Sequence, residues 1–344
     1  MAGYEIGNYE FNLSRFFPLG LFDEITETRV TQPEIILKEA RSRKRRTVLT
    51  HKGRLVILAA DHPGRMVTKS GTDPIGMADR YQYLGRVLRV ITHPQVDGVM
   101  ATTDVIEDLF IVNHLVKKAG GPSFLDEKVI LGSMNRGGLA GVEFEMEDTF
   151  TSFTAESISL LNLDGAKLMF RLDITSRDSG KTMYLSSQAI NELNRREIPI
   201  FLEPLYVTPS NYKMQKTLPE MVKIIGVASA MGDSSRNLWL KIPYGENYAQ
   251  IVKATTLPLL MLGGESQGNP TGVLAEFAAG IKAGANVRGA LVGRNILFPG
   301  PDDPLAVALA VVDIIHGGAG AEEALARIGS NRDRDLDFLS RFFV

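Results

Sequence analysis

RLVILAADH, residues 54–62, is an apolar run held between a cation at its start and an acid and an imidazole at its end. A strand open to water on one face alternates apolar and polar side chains, whereas a strand covered on both faces is apolar throughout. Residues 54–62 therefore read as a buried parallel strand. Working outward, seven more runs of this kind follow: VDGVMAT (96–102), KVILGSMN (128–135), AKLMFRLD (166–173), IPIFLEPLYV (198–207), LWLKIPYG (238–245), LPLLMLGG (257–264) and RGALVGRN (288–295). Helical patterns lie between them, at 76–91, 186–197, 218–231 and 269–284, with Pro270 near the start of the last and Gly284 just past its end. Repeated β-then-α units that close on themselves predict an α/β protein with a (β/α)8 TIM barrel. The alternative is an open doubly wound sheet. Its dinucleotide-binding form needs a GxGxxG turn after the first strand, and LAADHPG at 58–64 has none.

Around this frame, residues 1–50 read as an N-terminal extension with a helix at 32–40 capped near Thr31. The basic run RSRKRR at 41–46 is short and stands amid balanced charge, so it reads as solvated surface rather than a nucleic-acid contact. The barrel spans 51–325, with a Gly- and Glu-rich loop insertion at 136–156 that is either a lid or a neutral rim loop, and a tail at 326–344. LAVALAVVDII at 305–315 reads as a buried helix. The aromatic segments YEFNLSRFFPLGLF and FLSRFFV predict packing on the barrel or on a partner subunit, and so a homo-oligomer.

The chain of 344 residues has 40 acidic and 38 basic side chains and no cysteine. Disulfide scaffolds, thiolate nucleophiles and Cys-held clusters are excluded, and no global field attracts nucleic acid. Neither a membrane span nor a secretory signal is evident, so a cytoplasmic protein is expected. Five histidines form no HxH or HExxH pattern, so neither a metal nor another cofactor is expected.

In a barrel of this kind chemistry gathers at the C-terminal strand ends. The polar residues there are Asp61 and His62 after the first run, Asn135 after the third, Lys167, Arg171 and Asp173 in the fourth, Glu203 in the fifth, Lys241 in the sixth and Glu265 after the seventh. Strand alternation sends Lys241 away from Leu240 and Ile242, into the barrel interior, on the same side as Trp239. A lysine held there can lose its proton through desolvation and a neighbouring cation, becoming an amine that attacks a carbonyl. Lys167 is the candidate cation, Glu203 the candidate proton shuttle, and Asp61 a carboxylate for substrate hydroxyls. A structural ion-pair network and simple anion binding are the other readings of the same residues. Gly263 and Gly264 after the seventh run, and Gly293 with Arg294 after the eighth, suit a phosphate, with backbone N–H groups and a guanidinium to hold it.

These motifs, in this order over residues 54–300, resemble class I aldolases of the deoxyribose-phosphate, archaeal-type fructose-bisphosphate and tagatose-bisphosphate superfamily, and within it a group of (β/α)8 aldolases associated with inositol catabolism. LAADHPG is similar to the family's apolar-Asp-His segment, and LWLKIPYG to the segment that carries its Schiff-base lysine. KLMFRLD and FLEPLYV are similar to the tagatose-bisphosphate branch. The resemblance implies Lys241 as nucleophile, Lys167 and Glu203 lining the active site, Asp61 contacting substrate, and phosphate at Gly263, Gly264, Gly293 and Arg294, with His62 and Arg171 among the substrate groups. It implies a sugar-phosphate substrate, in one version 2-deoxy-5-keto-gluconate 6-phosphate. The extension, the insertion and the acidic Glu265 depart from the family pattern. Two further functions fit the residues: a phosphosugar isomerase or epimerase using Glu203 and Asp61 without a covalent intermediate, and a non-catalytic phosphosugar-binding barrel.

Overall fold

The eight apolar runs become β1 (Leu55–Ala60), β2 (Gly98–Ala101), β3 (Val129–Ser133), β4 (Gly165–Leu172), β5 (Ile200–Tyr206), β6 (Leu238–Pro243), β7 (Leu259–Leu262) and β8 (Val287–Val292) in a computed structural model that describes residues 4–208 and 212–343. Every strand runs parallel to its neighbours, and β8 pairs with β1, so the sheet is a closed barrel in sequence order. The strands are shorter than the sequence runs because the polar residues that end those runs lie in the loops.

The helices are α1 (Leu19–Thr31), α2 (Glu34–Ser42), α3 (Arg80–Ile91), α4 (Thr103–Lys118), α5 (Ala155–Leu160), α6 (Asp178–Arg195), α7 (Leu218–Ser229), α8 (Tyr248–Ile251), α9 (Thr271–Gly280), α10 (Arg294–Leu297), α11 (Pro304–Ile315) and α12 (Ala321–Asn331). Among the described residues no helix is long and apolar enough to cross a membrane. Asp79 caps α3, so 76–79 is a turn rather than helix. The extension holds two helices, not one: Thr31 ends α1, and Pro33 precedes α2. Leu21, Ile25 and Thr28 of α1 are buried, at the i, i+4, i+7 spacing of one helix face.

Alternate residues of each strand face opposite ways, and this separates two cores. Val56, Leu58, Ala166, Leu202, Leu240 and Met261 meet the surrounding helices. Leu55, Ile57, Leu131, Phe201, Leu260 and Leu291 fill the interior with Trp239, whose ring lies 5.7 Å from that of Phe201. That inner cluster is an apolar floor across the barrel.

The extension is part of the packed molecule. Phe16 and Phe17 are fully buried, and Gly85 of α3 makes room for Leu13 and Phe17, because a Cβ there would lie within 2.9 Å of their side-chain carbons. Extension and tail meet over the segment after β8. The Phe11 N–H donates to the Pro301 carbonyl (2.9 Å), Arg332 pairs with Asp302 (3.0 Å), and the buried Arg89 guanidinium binds both oxygens of Asp303 (3.1 and 2.7 Å).

RSRKRR is only in part the solvated surface expected of it: Arg41, Ser42, Lys44 and Arg45 are exposed, but Arg43 is not. Arg43 is buried, pairing with Asp164 (2.9 Å) and donating to the carbonyls of Lys128 (2.7 Å) and Asn162 (2.6 Å). Arg45 shares Asp164 (2.8 Å), and Arg46 pairs with Asp97 (2.9 Å). Asp97, Lys128 and Asp164 immediately precede β2, β3 and β4, so the run clamps the N-terminal rim of the barrel. Asp164→Asn is expected to cost about 3 kcal/mol in denaturant unfolding, because it strands the buried Arg43 charge. A loss under ~1 kcal/mol would show the clamp to be dispensable.

Candidate active site

Above the apolar floor, four charged side chains meet in the barrel mouth. β1 delivers Asp61 just past its last residue, β4 Lys167, β5 Glu203 and β6 Lys241, all on the inward side. Each stands two residues after a floor residue or a glycine (Ala59, Gly165, Phe201 and Trp239), so strand periodicity alone lifts the charges one layer above the floor. Lys167 is 0% exposed, Asp61 1%, and Glu203 and Lys241 5% each.

Glu203 Oε2 accepts from Lys241 Nζ at 2.9 Å and faces Lys167 Nζ at 3.1 Å, while Lys167 Nζ also donates to Asp61 Oδ2 at 3.1 Å. Two ammoniums therefore share one carboxylate oxygen, and the chain runs Lys241, Glu203, Lys167, Asp61. Burial without pairing is costly for any of these ions. With pairing, their formal charges cancel.

Burial pushes the Lys241 ammonium below its ordinary range, and the Lys167 charge adds to the fall, against the pull of Glu203 and Asp61. Burial acts upward on the carboxyls of Glu203 and Asp61. The lysines and Arg65 overcome it and hold both below the carboxylate range. The result is a lysine that gives up its proton more readily than usual, beside two carboxylates held in the ionised form, the setting of carbonyl addition with proton transfer.

His62 is buried beside Asp61 with Nδ1 unpartnered, and burial together with Arg294 and Arg65 holds its imidazole down to about 3, so it is neutral. Its ring is pressed on Gly293, where a Cβ would come within 2.3 Å of His62 Cε1. Gly293 is thus needed for packing, whatever its part in binding an anion. Gly264 differs: it has φ +68° and faces open space. Gly263, Gly264, Lys216, Thr271 and Arg294 border a cavity of about 680 Å³ beside β7 and β8. Arg294 pairs at 3.5 Å with Glu265, whose side chain is 78% exposed.

Arg171, expected among the substrate groups, has partners of another kind. Its guanidinium is buried against Asp148 (2.5 Å) and Glu145 (3.3 Å) of the 136–156 segment. Asn135 completes this anchor by donating to the carbonyls of Asp148 (3.2 Å) and Met169 (2.7 Å). Met146 of the same segment packs with Met169, Leu205 and Val207, so the insertion is fastened to the β4 and β5 side of the mouth. Asp173 serves its own turn, accepting from the Thr175 N–H at 2.8 Å. Two residues at the mouth are absent from the sequence reading, Asp148 and Arg65. Asp148 lies in a loop and Arg65 ends the short helical turn Pro63–Arg65, both outside any strand pattern.

The chain matches the Cgl0159-like family model over residues 53–313. Over 149 residues it is 30% identical to an uncharacterized aldolase of Saccharolobus solfataricus, an alignment covering 42% of this chain and 52% of that protein. The chain thus spans about half the length of this curated relative. Among solved structures, Cgl0159 from Corynebacterium glutamicum aligns with a TM-score of 0.80 at 31% identity, covering 87% of this chain and 98% of that one. An archaeal fructose-1,6-bisphosphate aldolase, with its catalytic lysine covalently bound to the carbinolamine intermediate, shares the fold at a TM-score of 0.55 and 17% identity, covering 82% and 100%. By the match over most of its length, the chain belongs to the Cgl0159-like family.

Proposed function

We propose that this protein is a class I aldolase that breaks or forms a carbon–carbon bond in a phosphorylated keto-sugar or keto-sugar acid. The observation that carries the reading is the buried chain from Lys241 through Glu203 and Lys167 to Asp61 over a dry floor. The names of the relatives, two of them aldolases, agree with it.

The Lys241 amine, having given its proton to Glu203 or to solvent, attacks the substrate carbonyl carbon. The carbonyl electron pair moves to oxygen, which takes a proton from Glu203. The nitrogen gives one of its protons back to Glu203, which passes it to that oxygen; the oxygen leaves as water, and the nitrogen lone pair forms the iminium. Asp61 then removes the proton of the β-hydroxyl, the C–C bond breaks to release an aldehyde, and its electron pair moves into the iminium to give an enamine. Protonation and hydrolysis free the second product and restore the amine. Lys167 holds Glu203 and Asp61 in place. The cavity with Gly263, Gly264 and Arg294 receives the phosphate. One substrate of this class is 2-deoxy-5-keto-gluconate 6-phosphate, which would yield dihydroxyacetone phosphate and malonate semialdehyde.

Borohydride reduction in the presence of dihydroxyacetone phosphate or a keto-sugar phosphate, followed by peptide mass analysis, tests the mechanism. A reduced adduct is expected on the peptide containing Lys241. No adduct with any of these carbonyl compounds would remove the covalent mechanism.

A further inference from the structure

We infer that Phe11 of the N-terminal extension is a positioning residue for anion binding: with Arg86 it fixes the segment after β8 that carries Arg294 and holds Gly263 and Gly264. This rests on the proposed function for the phosphate assigned to those residues, and it gives the extension a part in affinity.

Residues 293–303 form a bridge from the mouth to the outside of the barrel. At its inner end Arg294 borders the cavity beside Gly263 and Gly264, and its Nε is buried without a hydrogen bond. A buried donor left unpaired at a cavity wall is costly unless a ligand completes it. Asn295 Nδ2 donates to the Gly263 carbonyl (2.7 Å) and lies 3.4 Å from that of Gly264. Ser266 Oγ donates to the Phe298 carbonyl (2.6 Å) and accepts from the Gly268 N–H (3.1 Å). Gly300, at φ +86°, packs so closely that a Cβ there would come within 2.4 Å of the Gly268 carbonyl oxygen. The loop after β7 therefore takes its shape from the segment after β8, through Asn295, Phe298 and Gly300.

The outer side of the bridge is held by α3 and the extension. Arg86 of α3 donates to the Leu297 carbonyl (3.1 Å). Its guanidinium carbon lies 5.1 Å from the centre of the Phe298 ring and 5.5 Å from that of Phe11. A guanidinium is attracted to the face of an aromatic ring, and more strongly where water is displaced. Phe11 is buried, and its N–H donates to the Pro301 carbonyl (2.9 Å). Asp302, fully buried, accepts from the Tyr4 hydroxyl of the extension and from Arg332 (3.0 Å) of the tail. The extension thus reaches Phe298 through Arg86, and Pro301 and Asp302 directly.

An oxyanion held by backbone N–H groups and one guanidinium depends on their aim, because hydrogen bonds weaken steeply as distance and angle depart from the optimum. Truncating Phe11 would open a void beside Arg86 and let the Phe298 segment relax into it. That shift passes to the glycines through Ser266 and Asn295. Lys241, Glu203 and Lys167 stand on β6, β5 and β4, with Asp61 at the end of β1, and they are held by one another. The extension therefore acts on phosphate affinity and leaves reaction at Lys241 alone.

Affinity for glucitol 6-phosphate, which cannot react, is measured by calorimetry, and Lys241 is trapped by borohydride with dihydroxyacetone, which carries no phosphate. Phe11→Ala is expected to weaken glucitol 6-phosphate about fivefold or more and to keep the trapping rate within about twofold. Phe11→Tyr, which retains the ring, should bind as the intact protein does. Ser266→Ala should also weaken binding. In its background Phe11→Ala should cost less than alone, because both act through the Phe298 segment. Unchanged affinity in a folded Phe11→Ala, additive effects of the two substitutions, or equal loss of affinity and trapping would overturn the inference. If Phe11→Ala does not fold, Phe11→Leu, which fills the space without a ring face, is judged by the same outcomes. No binding by the intact protein, or full affinity in Arg294→Met, removes the phosphate assignment and the inference with it. Absence of trapping in the intact protein removes the covalent mechanism alone, and the affinities still decide the inference.

Discussion

Lys241→Met is expected to lower aldol turnover by at least about 10⁴-fold and to abolish borohydride trapping. Removing a covalent nucleophile takes away the intermediate itself, so neighbouring groups cannot compensate by proton transfer. The protein should remain folded, because Glu203 keeps Lys167 at 3.1 Å and an unbranched apolar side chain follows the path of the lysine over Trp239 and Phe201. Binding of unreactive sugar phosphates should change little. Substantial residual turnover would instead favour a proton-transfer reaction run by Glu203 and Asp61, the isomerase or epimerase alternative. The intact enzyme should also show an activity that rises with pH on its acid side. Burial depresses the Lys241 ammonium, so the rise should fall below the ordinary lysine range.

Glu203→Gln is expected to destabilise the fold by about 3–5 kcal/mol at neutral pH and to lower turnover by about 10²-fold or more. The carboxylate is the shared partner of two buried ammoniums, so its loss leaves Lys167 and Lys241 with Asp61 alone. The pH dependence gives the cause away. In the intact protein the Glu203 carboxyl is held below its unfolded value, so its stabilisation is fully present above that value, about pH 4.3, and is lost as pH falls through the folded one. Lys241 is depressed on folding, so the folded state binds fewer protons than the unfolded one below about pH 10.4, and its penalty fades as pH rises toward that value. Without Glu203 this penalty grows. The stability gap between the proteins should therefore narrow from pH 7 to pH 10 in denaturant titrations. A gap under ~1 kcal/mol at pH 7 would mean that water, not protein, solvates the cluster.

The parts of the molecule readable in the chain are those governed by short periods. Continuous apolar runs located all eight strands, and alternation of two placed Trp239 and Lys241 on one side of β6. The apolar runs also carried Lys167 and Glu203 within β4 and β5, where only paired charges are tolerated. Local patterns also marked the buried α11 and the cap region of α9. The first helix of the extension was missed although its buried face has helical spacing, because Thr and Val among its residues weaken the intrinsic preference.

Partnership across the chain is another matter. RSRKRR looks like solvated surface until Asp97 and Asp164 are brought beside it, the latter 121 residues from Arg43. Arg171 looks like a substrate ligand until Asp148 arrives 23 residues earlier in the chain to take its charge. Hydrophobic periodicity is a property of neighbouring residues, so sequence by itself determined the barrel and the layer on which its charges stand. The Coulomb energy of an ion depends on distance and local dielectric, which exist only once β8 has paired with β1. Tertiary structure alone therefore decided which cations are already balanced by a carboxylate.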